Sequence, residues 1–125
     1  MKNNDNMQTM TVLTDVCLIT CIVQRGSADK VVSAAQDAGA HGATIYYAQG
    51  TGEQQLLGVL SVAVESEKEI VEILVPSDYA NHIYEAMFIA GELDTPGMGV
   101  IYMTQIEKAA TYMPPDVLMA LREQA

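Results

Sequence analysis

EIVEILVPSDYANHIYEAMFIAGELDTPGMGVIYMTQI, Glu69 to Ile106, carries a strand, a helix and another strand in direct succession. EIVEILV (Glu69 to Val75) is short, apolar and β-branched, as a buried strand should be. Ser77 and Asp78 then stand where a helix wants its N-cap, and Ala80, Ile83, Tyr84, Met87 and Phe88 recur at helical spacing in one stripe ending near Gly91. Past the turn, GVIYMTQI (Gly99 to Ile106) again reads as a strand.

The same order stands upstream. VCLITCIV (Val16 to Val23) is a buried strand that ends at Arg25-Gly26. Ser27 is a natural N-cap with Asp29 in the first turn, Val31, Ala35 and Ala38 repeat at helical spacing, and Gly39 is a natural stop. GATIYYAQG (Gly42 to Gly50) follows as a strand rich in Ile and Tyr. Two βαβ halves of this length predict an α+β, ferredoxin-like βαββαβ sandwich: a four-stranded antiparallel sheet with both helices on one face. Residues 1–14 read as a polar N-terminal tail, 15–113 as the domain, and 53–67 as a loop within it. Residues 114–125, PPDVLMALREQA, read as a short C-terminal helix begun at Pro114-Pro115-Asp116, with Val117, Leu118 and Leu121 on one side, capping a cleft or packing on a neighbour.

The strand faces predict assembly. Cys17, Ile19, Cys21 and Val23 share one face of the first strand, and Val16, Leu18 and Ile22 the other. In the last strand Ile101 and Met103 lie opposite Val100, Tyr102 and Ile106. Two helices cover only one face of a sheet, so the second apolar face needs a cover, most simply copies of the same chain. Cys17 and Cys21, four apart on a strand, are separated by roughly 13 Å, too far for a disulfide, and read as reduced core residues.

Composition excludes several functions. Sixteen acidic residues against six basic ones give a net charge of −10, which repels nucleic acid and anionic membranes. No run reaches the roughly 18 apolar residues of a membrane helix, and the N-terminus is polar where a signal peptide would be hydrophobic. The expectation is a cytoplasmic protein with no direct membrane insertion. His41 follows a helix end and His82 lies within a helix, with no second ligand at metal spacing from either, which favours surface or capping roles. Of the eight methionines, Met7 and Met10 lie in the tail and Met87 and Met103 at core positions, which reads as packing rather than copper binding. Neither histidine stands beside a serine or cysteine nucleophile, so no catalytic set emerges.

The turn ELDTPGMGVIY (Glu92 to Tyr102) holds a proline and two glycines but no lysine or arginine. Backbone N–H groups in such a turn can receive a phosphate. The competing reading is a plain turn, in which Asp94 is an ordinary turn residue.

GATIYYAQGTGEQ, EIVEILV and TPGMGVIYMTQIEKA, in this order of elements, together resemble the PII nitrogen-regulatory signal proteins from Val16 to Thr111. The resemblance implies a homotrimer that binds adenine nucleotides in clefts between subunits and presents a loop to a regulated protein, with a membrane transporter as one candidate partner. It further implies that Gly50-Thr51-Gly52 and Gln54 form a glycine turn and following glutamine at the base of that loop, lining the cleft. Thr44 would lie near the adenine, Glu72 near the ribose, and Gly97-Met98-Gly99 would close on the phosphates from the neighbouring side.

The departures bear on the ligand. Where typical members carry a lysine after the second glycine turn and arginines on the last strand, Val100, Thr111 and Met113 stand here, and the nearest basic residue is Lys108. Charge-assisted hydrogen bonds are roughly twice as strong as neutral ones, so a triphosphate loses most. AMP, ADP, ATP or another small ligand all stay open, with weak or absent triphosphate preference. EQQLLGVLSVAVESE, between Gly52 and Lys68, is shorter than the family's loop and lacks the tyrosine some members modify. LLGVLSVAV within it reads as a strand extension or a recognition segment, and Glu53 to Glu67 as the most mobile part of the core. The alternatives are a metal-handling trimer similar to the CutA proteins, with His and Met ligands, and a small ferredoxin-like enzyme with Glu72 as its acid.

Overall fold

The computed structural model describes residues 11–49 and 67–112. The elements are β1 (Thr11–Leu13), β2 (Val16–Gln24), α1 (Ala28–Asp37), β3 (Thr44–Gln49), β4 (Glu67–Pro76), α2 (Ser77–Ala90), β5 (Gly99–Ile106) and β6 (Ala109–Thr111). Four strands form one antiparallel sheet in the order β3-β4-β2-β5. The two βαβ halves therefore interleave, with β2 and β4 central, and the fold is the expected ferredoxin-like sandwich.

Register decides which residues make the core. Ile19, Cys21 and Val23 of β2, Val71, Ile73 and Val75 of β4, and Ile101 of β5 share one face. On that face they meet Ala28, Val31 and Ala35 of α1 and Ala80, Ile83 and Met87 of α2. Each large side chain among them contributes about 1.5–3 kcal/mol by leaving water. Tyr84 is half-buried and donates its hydroxyl to the Ile101 carbonyl at 3.2 Å, while Phe88, at the end of the α2 stripe, stays exposed.

The helix ends differ from the sequence reading in ways tertiary structure explains. Ser27 occupies the N-cap of α1, but its side chain makes no capping bond. The cap comes from the sheet: the Glu69 carboxylate on β4 accepts the Ala28 N–H at 2.9 Å, and its charge favours the helix N-terminus. In α2 the cap position belongs to Pro76, and Ser77 is the first helical residue. The Ser77 N–H donates to the Asp15 carbonyl at 2.9 Å, and its hydroxyl lies 3.5 Å from Cys17 Sγ.

Both helices end in the same bond pattern. Ala40 N–H reaches Ala35 O and Gly39 N–H reaches Gln36 O; likewise Leu93 N–H reaches Phe88 O and Glu92 N–H reaches Ile89 O. The left-handed residue is Gly39 in α1, but in α2 it is Glu92, at φ 54, one place beyond the expected stop at Gly91.

Residues 11–13, inside the segment read as a polar tail, form β1 and pair antiparallel with β6. The partner strand comes from the other end of the domain, which local composition does not show. The loop read at 53–67, with LLGVLSVAV, lies outside the described residues but for Glu67, which opens β4; the helix read at 114–125 lies outside them altogether.

Cys17 and Cys21 are both free and buried. Burial pushes the Cys21 thiol from 9.0 up to about 12. The folded chain thus keeps a proton that the unfolded chain releases, so this contribution is complete below pH ~9 and is lost as pH rises toward 12. Cys21 should resist Ellman's reagent at pH 8 in the native protein and react at once in denaturant. Rapid native-state labelling of both thiols would contradict this.

Candidate functional site

The sheet face turned away from the helices carries the candidate site. On it stand Leu18 and Ile22 of β2, Ile70 and Leu74 of β4, Tyr46 of β3, and Val100, Tyr102 and Ile106 of β5. Leu74 is 42% exposed, Tyr46 41% and Tyr102 47%, apolar surface that neither of the two described helices covers.

A polar row crosses this face. Thr44 of β3, Glu72 of β4, Thr20 of β2 and Tyr102 of β5 are mutually in register. Glu72 is the one carboxylate that the four strands place on this face among the described residues. Thr20 is only 4% exposed. Tyr46, two residues beyond Thr44, donates its hydroxyl to Glu72 Oε2 at 3.2 Å. Burial, the Glu72 hydrogen bond, and the charges of Glu72 and Tyr102 all push the Tyr46 phenol upward. Tyr46 is substantially exposed, so the carboxylate is the cause that carries weight.

The Gly97-Met98-Gly99 turn leads into β5 beside the end of β2. Gln24 Nε2 donates to Gly97 O at 2.7 Å and the Met98 N–H donates to Thr95 O at 3.2 Å, so part of the turn's backbone is already engaged. The two glycines have different reasons. Gly99, at φ 152, passes so close to β2 that a Cβ would lie 2.2 Å from the Ile22 carbonyl oxygen, whereas a Cβ at Gly97, at φ 84, would meet nothing within 4 Å. Gly99 is required by strand packing, with or without a ligand.

The sequence-predicted residues converge only in part. Thr44 and Glu72 are brought side by side. Gly99 lies toward the end of the sheet where Gln49 pairs with Glu67, three rows of residues from Glu72, and Gly97 and Met98 precede it. β3 and β5 are opposite edges, about 14 Å apart across three strand spacings. Thr44 and the glycine turn therefore do not meet within one chain. Gly50, Thr51, Gly52, Gln54 and Met113 lie outside the described residues.

Basic residues distant in sequence adjoin the turn segment. Lys108 follows the far end of β5, while Lys30 reaches Glu92, at the start of the turn segment, with Nζ 3.1 Å from Oε2, and Arg25, next to the Gln24 that bonds Gly97, has Nη1 3.3 Å from Glu67 Oε1. Val100 stands on the open face and Thr111 in β6. Among the described residues no three His, Cys, Asp or Glu side chains gather as a metal site, and no helix is long and apolar enough to cross a membrane. Sequence reasoning missed Tyr46, Gln24 and Glu69, because each acts across strands or between sheet and helix.

The described residues form a ferredoxin-like sandwich whose second sheet face is apolar. The family model described as Nitrogen regulatory protein P-II matches residues 16–114, and the chain belongs to that family of signalling proteins. The fold is similar to the crystal structure of Arabidopsis thaliana PII bound to citrate, with a TM-score of 0.60 and 20% identity over 75% of this chain and 79% of that one. At that identity the likeness concerns the fold alone. No curated protein sequence matches the chain.

Proposed function

We propose that the protein is a cytoplasmic homotrimer that binds an adenine nucleotide between subunits and signals its state to a partner protein, a membrane transporter being one candidate, through residues 53–67. It is a regulator and not an enzyme. Thr44 and Glu72 take the nucleoside from one subunit, Gly97, Met98 and Gly99 the phosphates from the next, and Gly50, Thr51, Gly52 and Gln54 close the cleft at the loop base. The observation that carries this reading is the placement of Thr44 and Glu72 in register on an uncovered apolar face, with the glycine turn on the opposite edge of the sheet. Such a site is complete only when copies meet.

Charge sets the number of phosphates. Arg25 and Lys30 already face Glu67 and Glu92, and the net charge of −10 opposes further anions. AMP or ADP should bind more tightly than ATP by calorimetry, and Val100→Lys should raise ATP affinity about tenfold through one charge-assisted contact. Wild type binding ATP much more tightly than AMP would contradict the assignment.

A further inference from the structure

We infer that the first turn of α1 is a conformational sensor of the start of β4: Glu69 caps the helix only while residues 67–69 lie in the sheet, so whatever draws this part of β4 away also frees the helix N-terminus. The inference goes beyond the proposed function and holds whichever ligand the protein takes.

The α1 N-terminus has no side-chain cap of its own. Ser27 holds the N-cap position at φ −98 and ψ −11, and its side chain makes no capping bond. The acceptor comes from 41 residues along the chain, where Glu69 Oε1 receives the Ala28 N–H at 2.9 Å. Glu69 stands on the helix-facing side of β4, in alternation with Val71, Ile73 and Val75. Its charge strengthens the bond, because a carboxylate at a helix N-terminus meets the positive end of the helix dipole. A cap from the residue before the helix moves with the helix. This one is fixed to a strand, so the strand and the helix end hold or release each other.

β4 is lightly held where it begins. Lys68 has register partners on both sides, Gln24 of β2 and Ala48 of β3, whereas Glu67 has only Gln49. The Glu67 carboxylate lies 3.3 Å from Arg25 Nη1, but the two side chains are 50% and 76% exposed, an ion pair too open to fix the strand. The part-buried bond from Ala28 to Glu69 therefore carries most of the coupling between these residues and α1. This is also where the chain re-enters the sheet after the segment proposed above to meet a partner. A partner's pull there would be felt in the helix layer, on the side of the sheet away from the open face.

Amide hydrogen exchange, followed residue by residue by NMR, tests this on the full chain with Gln49→Gly and Glu69→Ala, singly and together. Gln49 is exposed on edge strand β3 opposite Glu67, so glycine there loosens the β4 start without touching α1. Exchange of the Ala28 amide should rise about threefold in Gln49→Gly and about tenfold or more in Glu69→Ala, where a hydrogen bond to a charged acceptor is lost. The double variant should show no rise beyond that of Glu69→Ala. Glu69→Gln keeps an acceptor oxygen without the charge, so its rise should be smaller and its response to Gln49→Gly retained. A general loss of stability would raise Ala28 exchange by the same factor with or without Glu69. That result, or an Ala28 amide unmoved by Gln49→Gly alone, overturns the inference; the second outcome needs one surface substitution and decides the matter even if Glu69→Ala does not fold.

Discussion

Gly99→Ala should destabilise the fold by about 3 kcal/mol or more. The added Cβ would lie 2.2 Å from the Ile22 carbonyl oxygen, which is backbone of the central strand β2, and 3.1 Å from Leu93 Cδ2. Leu93 can turn aside, but Ile22 cannot move without dragging β2 through the core. β5 would have to peel away from β2 instead, breaking the pairs Val23↔Gly99 and Ile22↔Val100. The backbone at φ 152 adds strain for any side chain. A drop of this size lowers the melting temperature by more than about 10 °C for a domain of this size. Gly97→Ala is the natural control, because its Cβ meets nothing within 4 Å and the cost is only that of the left-handed backbone, about 1–2 kcal/mol. Equal melting temperatures for the two variants would show that close approach to β2 is not what holds glycine at 99. Loss of ligand binding in a Gly99 variant would thus say little about a backbone cradle, and Gly97 is the position at which to ask that question.

Leu18→Asp should convert the assembly to monomers while each monomer stays folded. Leu18 lies on the open face of central β2, in register with Leu74 and Thr104, and faces away from both helices. Covered by another copy, an aspartate there would lose its water with no positive partner on its row, which costs several kcal/mol per site. In the monomer it stays at least partly hydrated, so circular dichroism should be preserved. Ile19→Asp, one residue on, enters the fully buried core and should unfold the chain outright. A Leu18→Asp protein of unchanged oligomeric mass would place the subunit contact elsewhere.

The elements that local pattern could reach were legible. GVIYMTQI is strand β5 residue for residue, because a glycine pair and a β-branched run mark both its start and its nature. β4 begins two residues earlier than its apolar run, at Glu67, because pairing with Gln49 extends it where side chains alone give no signal. Thr11–Leu13 was hidden for a stronger reason: its partner lies close to the other end of the chain, at Ala109–Thr111. The capping of α1 by Glu69 and the bond from Tyr46 to Glu72 were equally hidden, since both need the register of β4 against its neighbours.

The candidate site was legible to the extent that it depends on faces. Alternation along β2 and β5 exposed a second apolar surface, and the register bears out that division of residues. Alternation could not say which cations approach the glycine turn. Lys108 is close in sequence but follows the other end of β5, while Lys30 of α1 reaches Glu92 at the start of the turn segment.

The account stands on the open sheet face being covered by two further copies of the chain. Light scattering after size exclusion at low micromolar concentration measures this directly. Three chains of 13.5 kDa predict a single species of about 40 kDa, and a monodisperse species of 13.5 kDa would contradict it.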